Sequence, residues 1–455
     1  MNRRALAVFG LIALSCAESS ARSLSGRWLG KVSANGADSP ITIDFVQEPR
    51  GPLRALASLQ EETLWTDYAL SNVRVAGSKL KFEVPSSNAP NAVFTGVING
   101  DSITGTIVKG AHAVRVGLVR SGLVPAKPYS IRKVRYRSAD GTELAGDILT
   151  PHEGVRRPGV VLLHGSGAHT RDDLRFYADL FARHGMVALI GDKRRSHSDG
   201  TDYTYFDLAD DADASIALLA ADPSVDDSRI GIFGVSEGGW VAPIVAARNS
   251  RVGFVIALVA SGMSYAENEI YQRKQRWQAA GASPGALATF DTTTRALHDF
   301  ARRLKGGRKI DDRSRAELQA SLDHLAAVLG PRLGPPAKMP LATDTLSLRW
   351  RMLDFDPVTY WKHVKQPVLF VWGANDRNVD TESSRKRILT ALIAAANNDV
   401  TALTYNGVEH DLMIKSEGRK FFFPHPPPGY PDTLVKWLTR TTGAKSGAKA
   451  RLVPE

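Results

Sequence analysis

Short apolar segments alternate with polar positions in the first quarter of the chain. These segments span residues 26–30, 41–45, 80–84, 92–96 and 102–106, and Gly, Asn, Asp or Pro residues separate them. Alternation with a period of two, broken at regular intervals by turn residues, is typical of antiparallel strands. The pattern predicts a small antiparallel β domain over residues 22–124, either a barrel or a sandwich. A proline-containing linker at residues 125–128 follows it.

Beyond the linker the pattern changes to fully apolar runs separated by helical stretches. A strand pair is predicted at residues 131–136 and 144–149, and apolar runs follow at 160–163, 187–190, 230–233 and 255–259. Strands that are apolar on both faces and alternate with helices indicate a mostly parallel sheet covered on both sides. The same alternation resumes with strands at residues 367–372 and 401–405 and a last helix near residues 432–438. The pattern predicts an α/β domain over residues 129–440.

One long segment interrupts this alternation. Residues 263–361, approximately, are rich in Arg, Gln, Ala and Leu at helical spacing, lack buried-strand runs and contain glycine-proline breaks near residues 330 and 334. We interpret the segment as a helical insertion that covers the edge of the sheet as a cap. The fold class is then α/β, with a mostly parallel sheet, a helical cap and a small N-terminal β domain.

The first 21 residues have the three-part layout of a secretory signal. Arg3 and Arg4 precede an apolar run from Ala5 to Leu14, and small residues follow as far as Ala21. This layout predicts export to the periplasm or medium, because the apolar run is too short to span a bilayer. Cys16 is the one cysteine, so the processed chain could form no disulfide. Lipid modification of Cys16 is the alternative, although residues 13–15 match the lipoprotein pattern poorly.

The chain is basic, with a formal net charge of +11, and the excess lies partly in residues 295–315 and in a predicted basic tail at 441–455. A positive net charge favours binding to anionic surfaces or to acidic substrates. No stretch combines basic residues with regularly interleaved aromatic residues, and we therefore predict no nucleic-acid partner. A solvated basic surface is the simpler interpretation.

Ser236 lies where an apolar run turns into a helix. The pattern Gly234-x-Ser236-x-Gly238 follows the run at residues 230–233. In a nucleophile elbow, such glycines allow a sharp strand-to-helix turn that exposes the serine oxygen above the sheet. A bare five-residue match also fits an ordinary helix-capping serine.

Two further residues follow predicted strands in the order that a catalytic triad on this sheet requires. Asp376 comes just after the strand at residues 367–372, and His410 lies in a loop after the strand at 401–405. A serine hydroxyl needs a base to take its proton, and the base needs a partner that holds its tautomer. We predict Ser236, His410 and Asp376 in these roles, with Asp380 as the reserve acid.

The glycine-rich segment after residues 160–163 predicts an oxyanion hole. Its amides are suited to hold developing negative charge, and we assign one donor to the amide of Ser166, with Gly167 as the neighbouring alternative. The second donor is the amide of Glu237, directly after the elbow serine. The Glu237 side chain is explained by its place at a helix N-terminus. His164 is interpreted as a residue that shapes the loop.

Residues 129–438, approximately, resemble the α/β-hydrolase superfamily. Within it the chain is similar to secreted bacterial esterases with a small N-terminal β domain, which are distantly similar to dienelactone hydrolases and prolyl-oligopeptidase-type peptidases. The resemblance rests on residues 164–167, 192–194, 234–239, 373–376 and His410. Such esterases usually have Asp-Lys-Arg-Gly with further glycines, where this chain has Arg195, Ser196 and His197 after Asp192-Lys193-Arg194. The bulky residues Arg195 and His197 could narrow or recharge the cleft.

These observations predict a carboxylesterase-type serine hydrolase that acts on a small-molecule ester through an acyl-enzyme. The mechanism needs no metal and no organic cofactor. A secreted serine peptidase, either an aminopeptidase or a prolyl-oligopeptidase-like enzyme, is the main alternative, and a non-catalytic binding protein that uses the β domain is another. The β domain itself could bind substrate, form a homodimer surface, act as a lid or be a structural accessory.

Overall fold

The computed structural model describes residues 24–47, 51–59, 65–85, 90–195, 201–330, 347–414 and 425–444. The predicted signal segment at residues 1–21, including Cys16, lies outside these ranges. So does the predicted basic tail beyond residue 444.

Eight antiparallel strands form a closed barrel in which β8 pairs with β1. Its interior is filled by side chains that alternate inward along the strands, and Trp28, Phe45, Phe82 and Phe94 are fully buried there. The predicted antiparallel β domain is confirmed, and of the two architectures the structure shows the barrel. The strands are β1 (Gly26–Ala34), β2 (Ala37–Gln47), β3 (Leu53–Leu59), β4 (Trp65–Ala76), β5 (Lys79–Val84), β6 (Ala92–Asn99), β7 (Ser102–Lys109) and β8 (His112–Gly122).

A second sheet of eight strands has the order β16-β15-β14-β13-β11-β12-β10-β9. The strands from β11 to β16 run parallel to one another, whereas β9 and β10 are antiparallel at one edge. The predicted mostly parallel sheet is confirmed. The strands are β9 (Tyr129–Arg137), β10 (Glu143–Pro151), β11 (Arg157–Leu163), β12 (Val187–Gly191), β13 (Val225–Val235), β14 (Val252–Leu258), β15 (Val368–Gly373) and β16 (Val400–Tyr405).

Helices cover both faces of this sheet. On one face α1 (Arg175–Arg183) and α10 (Tyr430–Thr442) pack into one apolar cluster. On the other face the cluster is formed by α2 (Tyr205–Ala220), α3 (Glu237–Arg248), α8 (Val358–Trp361) and α9 (Thr381–Ala394). Strands buried on both sides explain why their sequences read as continuous apolar runs.

The predicted insertion is helical, as expected. It contains α4 (Tyr265–Ala279), α5 (Pro284–Lys305), α6 (Asp312–Leu329) and the short α7 (Leu348–Arg351). The three long helices each begin at a side-chain cap, formed by Ser264, Ser283 and Asp311. Such residues satisfy amide groups that the first turn leaves without partners.

The linker between the barrel and the second sheet contacts both domains. The Lys127 ammonium group lies 2.5 Å from a carboxylate oxygen of Asp67 in the barrel and 3.6 Å from one of Asp179 on α1.

The second sheet brings the carboxyl ends of its parallel strands to one edge, where ligands of such sheets bind. The segments after β11, β13, β15 and β16 therefore meet at that edge.

Candidate active site

The turn between β13 and α3 holds Ser236 in a strained backbone conformation with positive φ, at φ 53° and ψ −108°. A residue other than glycine pays on the order of 1–3 kcal/mol for such a conformation, which persists only where its surroundings fix it. The Ser236 amide donates to the Leu258 carbonyl oxygen at 2.9 Å, and the Gly239 amide donates to the Ser236 carbonyl oxygen at 2.8 Å. These two bonds hold the strained residue from both sides.

The two glycines of the motif are required by close backbone contacts. A Cβ atom on Gly234 would lie 2.2 Å from the carbonyl oxygen of Gly238. A Cβ atom on Gly238 would lie 2.6 Å from the carbonyl oxygen of Leu163 at the end of β11. No side chain fits at either distance. Glycine at 234 lets the turn close on itself, and glycine at 238 brings the turn against the end of β11.

The structure brings Ser236, His410 and Asp376 together in a hydrogen-bonded chain. His410 Nε2 lies 3.0 Å from Ser236 Oγ, and His410 Nδ1 lies 2.7 Å from Asp376 Oδ2. Because an ionised carboxylate only accepts hydrogen bonds, Nδ1 carries the proton and Nε2 is free to accept from the hydroxyl group. This is the arrangement in which a serine is deprotonated by a neighbouring imidazole.

The carboxylate of Asp376 is buried and fixed on both of its oxygen atoms. Oδ1 accepts from the amides of Asn378 and Val379 at 2.7 and 2.9 Å, which leaves Oδ2 for His410. The reserve acid, Asp380, instead caps α9 by accepting from the amide and hydroxyl groups of Ser383. The residue in contact with His410 is therefore Asp376.

The predicted oxyanion segments face the same cavity as Ser236. Ser166, Gly167 and Glu237 line it together with the serine. Glu237 is the first residue of α3, where the amide has no acceptor within the helix. The structure thus places both predicted donor residues beside the serine, and Gly167 as well.

The Glu237 side chain has a more specific environment than a helix N-terminus provides. Its Oε1 accepts a hydrogen bond of 2.5 Å from Lys193 Nζ, and the side chains of both residues are almost fully buried. Lys193 also donates to the carbonyl oxygen of Gly165 at 2.6 Å. Burial raises the pKa of Glu237, although the Lys193 cation acts in the opposite direction. The helix dipole alone was therefore an incomplete explanation of this residue.

A cavity of about 250 Å³ opens above Ser236. Aromatic side chains from α2, α3 and the start of the cap form much of its wall, and α4 adds polar side chains. The lining residues are Ser166, Gly167, Tyr203, Tyr205, Ser236, Glu237, Trp240, Ser261, Tyr265, Asn268, Glu269, Gln272, Leu348 and Val379. The cap therefore forms one side of the cavity, and the hydroxyl group of Tyr271 on α4 donates to the main-chain oxygen of Asp376 at 3.0 Å.

The second carboxylate in the cavity wall, Glu269, has two arginines and a histidine as partners. Arg349 Nη2 and Arg273 Nη2 lie 2.9 and 3.0 Å from its Oε1, and His298 Nε2 lies 3.1 Å from its Oε2. Burial acts to raise the pKa of Glu269, but these three partners together hold it below its ordinary value. Glu269 is consequently an ionised group whose negative charge is more than offset by two arginines.

Several residues of the site carry no signal in the sequence. Asn268, Glu269 and Gln272 lie in a helix whose orientation depends on contacts with the rest of the fold. The Lys193 contact could have been suspected from its place just after β12 and from the acidic residue that follows Ser236. Arg195, predicted to narrow the cleft, is exposed and does not line the cavity, and residues 196–198 lie outside the described ranges.

Within the described ranges, no group of three His, Cys, Asp or Glu side chains is arranged to hold a metal ion. The same part of the chain contains no helix with the length and apolar character needed to cross a membrane.

His164 is a buried imidazole in the loop after β11. Its Nε2 lies 2.7 Å from the carbonyl oxygen of Gly191 and therefore donates to it, and its ring stacks on that of His169 with 5.3 Å between centroids. Burial lowers the pKa of His164 to about 4, and the neighbouring His169 and Lys193 act in the same direction, against the hydrogen bond to Gly191. His164 is therefore neutral in the folded protein near pH 7 and supports the loop, as its sequence position suggested.

We expect His164 to make the folded state sensitive to acid. Between pH 6.5 and about 4 the unfolded chain binds a proton at this residue and the folded chain does not, so the free energy of unfolding falls as the pH falls. The slope from this one group reaches about 1.4 kcal/mol per pH unit. His164→Gln retains an N–H donor and removes the titration. Urea unfolding between pH 4.5 and 7 should show a shallower pH dependence for this variant than for the wild type.

His152→Gln, at an exposed histidine, is the control for loss of an imidazole elsewhere in the chain. An unchanged slope in His164→Gln would show that folding does not lower the pKa of His164.

The chain is similar to a polyketide transferase, to a thiohydrolase and to an α/β hydrolase of solved structure. The chain is 24% identical over 332 residues to the polyketide transferase claH of Penicillium crustosum, which covers 69% of this chain and 98% of that protein. It is 28% identical over 137 residues to the thiohydrolase aneE of Aspergillus aculeatus, covering 29% of this chain and 42% of that protein. Among solved structures, the α/β hydrolase GrgF from Penicillium sp. has a TM-score of 0.45 at 17% identity, over 69% of this chain and 99% of that chain.

Residues 140–388 match the family described as X-Pro dipeptidyl-peptidase (S15 family). The matched segment includes Ser236 and Asp376 and ends before His410. It covers more than half of the 455 residues. The protein is thus an α/β hydrolase of the serine hydrolase type, and it belongs to the X-Pro dipeptidyl-peptidase (S15) family.

Proposed function

We propose that the protein hydrolyses small carboxylic esters through an acyl-enzyme intermediate. Ser236 is the nucleophile, His410 is the general base and acid, and Asp376 orients the imidazole ring. The amides of Ser166 and Glu237 bind the oxyanion. The observation that carries the proposal is the continuous hydrogen-bonded chain from Ser236 Oγ through His410 to Asp376, at 3.0 and 2.7 Å, on the wall of a cavity.

In the first half of the reaction, Ser236 Oγ attacks the acyl carbon while His410 Nε2 takes its proton. The tetrahedral intermediate collapses when His410 returns that proton to the departing alkoxide, which leaves an ester on Ser236 and a free alcohol. In the second half, His410 deprotonates a water molecule that attacks the acyl carbon, and the carboxylic acid leaves as Ser236 is protonated again. Asp376 stabilises the imidazolium ion that forms in each half.

Two main-chain amides near Ser236 are proposed to form the oxyanion hole. Hydrogen-bond donors that are already in position need no reorganisation when negative charge develops on the substrate oxygen. Loss of one such donor typically costs about 3 kcal/mol of transition-state stabilisation. Both donors are main-chain groups, one at the start of α3 and one in the loop that follows β11. Their positions depend on the side chains that hold these two segments.

The charges in the cavity favour an ester over a peptide with a free amino terminus. An enzyme that removes dipeptides must provide a partner for the substrate's ammonium group, because a buried unpaired charge is costly. Among the described residues that line the cavity, the carboxylates are Glu237 and Glu269. Glu237 is paired with Lys193, and Glu269 with Arg349, Arg273 and His298. Neither carries an unbalanced negative charge toward the substrate.

The second candidate function is that of a peptidase, and membership of the X-Pro dipeptidyl-peptidase family favours it. The same nucleophile, base and oxyanion donors would cleave an amide bond. The two functions therefore differ in what holds the substrate, and substrates that differ in their amino terminus distinguish them.

The wild-type protein should react covalently with a fluorophosphonate probe, and Ser236→Ala should abolish the labelling. The probe requires a serine activated by a neighbouring base, which is the role proposed for Ser236. Ester hydrolysis by Ser236→Ala should fall by about 10⁶-fold, as for other serine hydrolases that lose their nucleophile. Labelling is measured by gel fluorescence and intact mass.

Ser224→Ala is the control, since Ser224 hydrogen-bonds to Asp222 and does not line the cavity. It should label like the wild type. Equal labelling of Ser236→Ala, or no labelling of the wild type, would overturn the catalytic roles.

A substrate panel should separate the two candidate functions. With p-nitrophenyl butyrate, methyl butyrate and Ala-Pro-p-nitroanilide, we expect hydrolysis of both esters. The kcat/KM of the protein for p-nitrophenyl butyrate should exceed that for the anilide by at least about 100-fold, since leaving the ammonium group of the anilide unpaired in the cavity costs on the order of 3 kcal/mol. The unactivated methyl ester controls for the better leaving group of nitrophenyl esters.

N-acetyl-Ala-Pro-p-nitroanilide completes the panel. Efficient cleavage of the free dipeptide anilide, loss of that cleavage on acetylation and no turnover of methyl butyrate would establish the peptidase instead.

A further inference from the structure

Lys193 is a buried cation that joins two segments of the active site. It follows β12, and its side chain is only 3% exposed. Its ammonium group donates to the carbonyl oxygen of Gly165 at 2.6 Å and to Oε1 of Glu237 at 2.5 Å. The same group lies 5.1 Å from the centre of the Tyr203 ring. Neither the elbow motif nor the hydrogen-bonded chain through His410 accounts for a buried ion pair at this point.

The bond to Gly165 fixes a group that is covalently linked to an oxyanion donor. The carbonyl of Gly165 and the amide of Ser166 belong to one peptide unit, which is planar and trans. In a trans unit the C=O and N–H bonds point in opposite directions. A donor that holds the Gly165 oxygen atom therefore sets the direction of the Ser166 N–H bond.

The bond to Glu237 acts on the other donor. Glu237 supplies the amide that follows Ser236, and its side chain returns to the same ammonium group. The Ser166 hydroxyl group also interacts with the Glu237 carboxylate. One ammonium group thus connects the residue that carries the second donor amide to the peptide unit that carries the first.

We propose that Lys193 is a positioning residue that aligns the two oxyanion donors by bridging the Gly165 carbonyl oxygen and the Glu237 side chain. The proposal rests on the proposed function, because it assigns a purpose to the geometry of that hole. Lys193 itself does not line the cavity and so acts through Gly165, Ser166 and Glu237.

Other side chains hold different parts of the loop. His169 Nε2 lies 3.0 Å from the carbonyl oxygen of Ser166, and His164 bonds to Gly191. Among the described residues, Lys193 is the side chain that donates to the Gly165 carbonyl oxygen. Removing Lys193 therefore frees that peptide unit to rotate while the rest of the loop stays attached.

A neutral double variant tests this role without leaving a buried charge. Lys193→Met alone would strand the Glu237 carboxylate, which is strongly destabilising, whereas replacing both members of a buried pair by apolar residues is often tolerated. We expect Lys193→Met/Glu237→Met to fold with a Tm close to that of the wild type. Its kcat for p-nitrophenyl butyrate should fall by about 10²-fold to 10³-fold, as for loss of an oxyanion donor, with KM changed by less than about 3-fold.

Affinity for a transition-state analogue provides a readout that a purely structural ion pair would not move. A trifluoromethyl ketone adds reversibly to an active serine and forms a tetrahedral adduct with an anionic oxygen. Its inhibition constant should rise in the double variant by the same factor as kcat/KM falls. Glu237→Gln, which retains an oxygen acceptor for Lys193, should recover most of both quantities relative to the double variant.

Arg194→Met/Asp211→Asn is the matched control. It removes the neighbouring buried ion pair, which touches neither oxyanion segment, and leaves Asp140, the second carboxylate bonded to Arg194, at a partly exposed position. It should lower Tm while leaving kcat and analogue affinity within about 3-fold of the wild type. If Lys193→Met/Glu237→Met fails to fold, the polar pair Lys193→Gln/Glu237→Gln is measured in the same way, with the same expected losses.

The proposal is overturned if a folded double variant keeps wild-type kcat and analogue affinity, or if its loss appears in KM alone. These outcomes can be told apart from failure of the proposed function. If the proposed function is wrong, the wild type itself will neither react with the fluorophosphonate probe nor hydrolyse esters. A wild type that labels, together with an equally active double variant, rejects only the role of Lys193.

Discussion

The close approach of the elbow to the end of β11 is the constraint on which the rest of the site depends. Gly234 and Gly238 allow backbone atoms to meet at distances that no side chain permits, and Ser236 is held at a positive φ between them. This turn points the serine toward the histidine loop and places the Glu237 amide beside the loop that carries Ser166. A larger residue at either glycine would displace the Ser236 hydroxyl group and the Glu237 amide together, because they belong to one turn.

The parallel sheet brings the remaining residues of the site next to this turn. The segments after β11, β13, β15 and β16 leave the sheet at one edge, so parts of the chain that are distant in sequence bring the proposed oxyanion donors, Ser236, Asp376 and His410 together. The cap closes the same edge from outside, and Tyr271 links it to the loop of Asp376. Each of the two carboxylates in the cavity wall is paired with cations, Glu237 with Lys193 and Glu269 with two arginines. The cavity is therefore small and partly aromatic, and no carboxylate among the described residues of its wall is unpaired.

The residues that could be predicted from the sequence are those whose positions follow from local pattern. Apolar runs locate the strands of the sheet, and Ser236, Asp376 and His410 each lie just beyond such a run. The alternating pattern of the first domain predicts antiparallel strands but does not decide between a sandwich and a barrel, because closure depends on the pairing of β1 with β8. The sequence also does not show which faces of the cap helices pack against the rest of the fold. Glu269 resembles any charged residue on a solvated helix until Arg349, distant in the chain, is seen to pair with it. Lys193 has a partial signal in its place just after β12 and in the acidic residue that follows Ser236, but its bond to the Gly165 carbonyl oxygen depends on the fold.

The proposed mechanism requires Ser236 to carry the acyl group during turnover. The most direct measurement is intact-mass spectrometry after the protein has been mixed with p-nitrophenyl butyrate and quenched in acid within the burst of nitrophenol release. We expect a population heavier by one butyryl group, with peptide mapping that places the group on Ser236 and with loss of the signal as substrate is exhausted. A nitrophenol burst without a covalent adduct, or an adduct on a different residue, would contradict this mechanism.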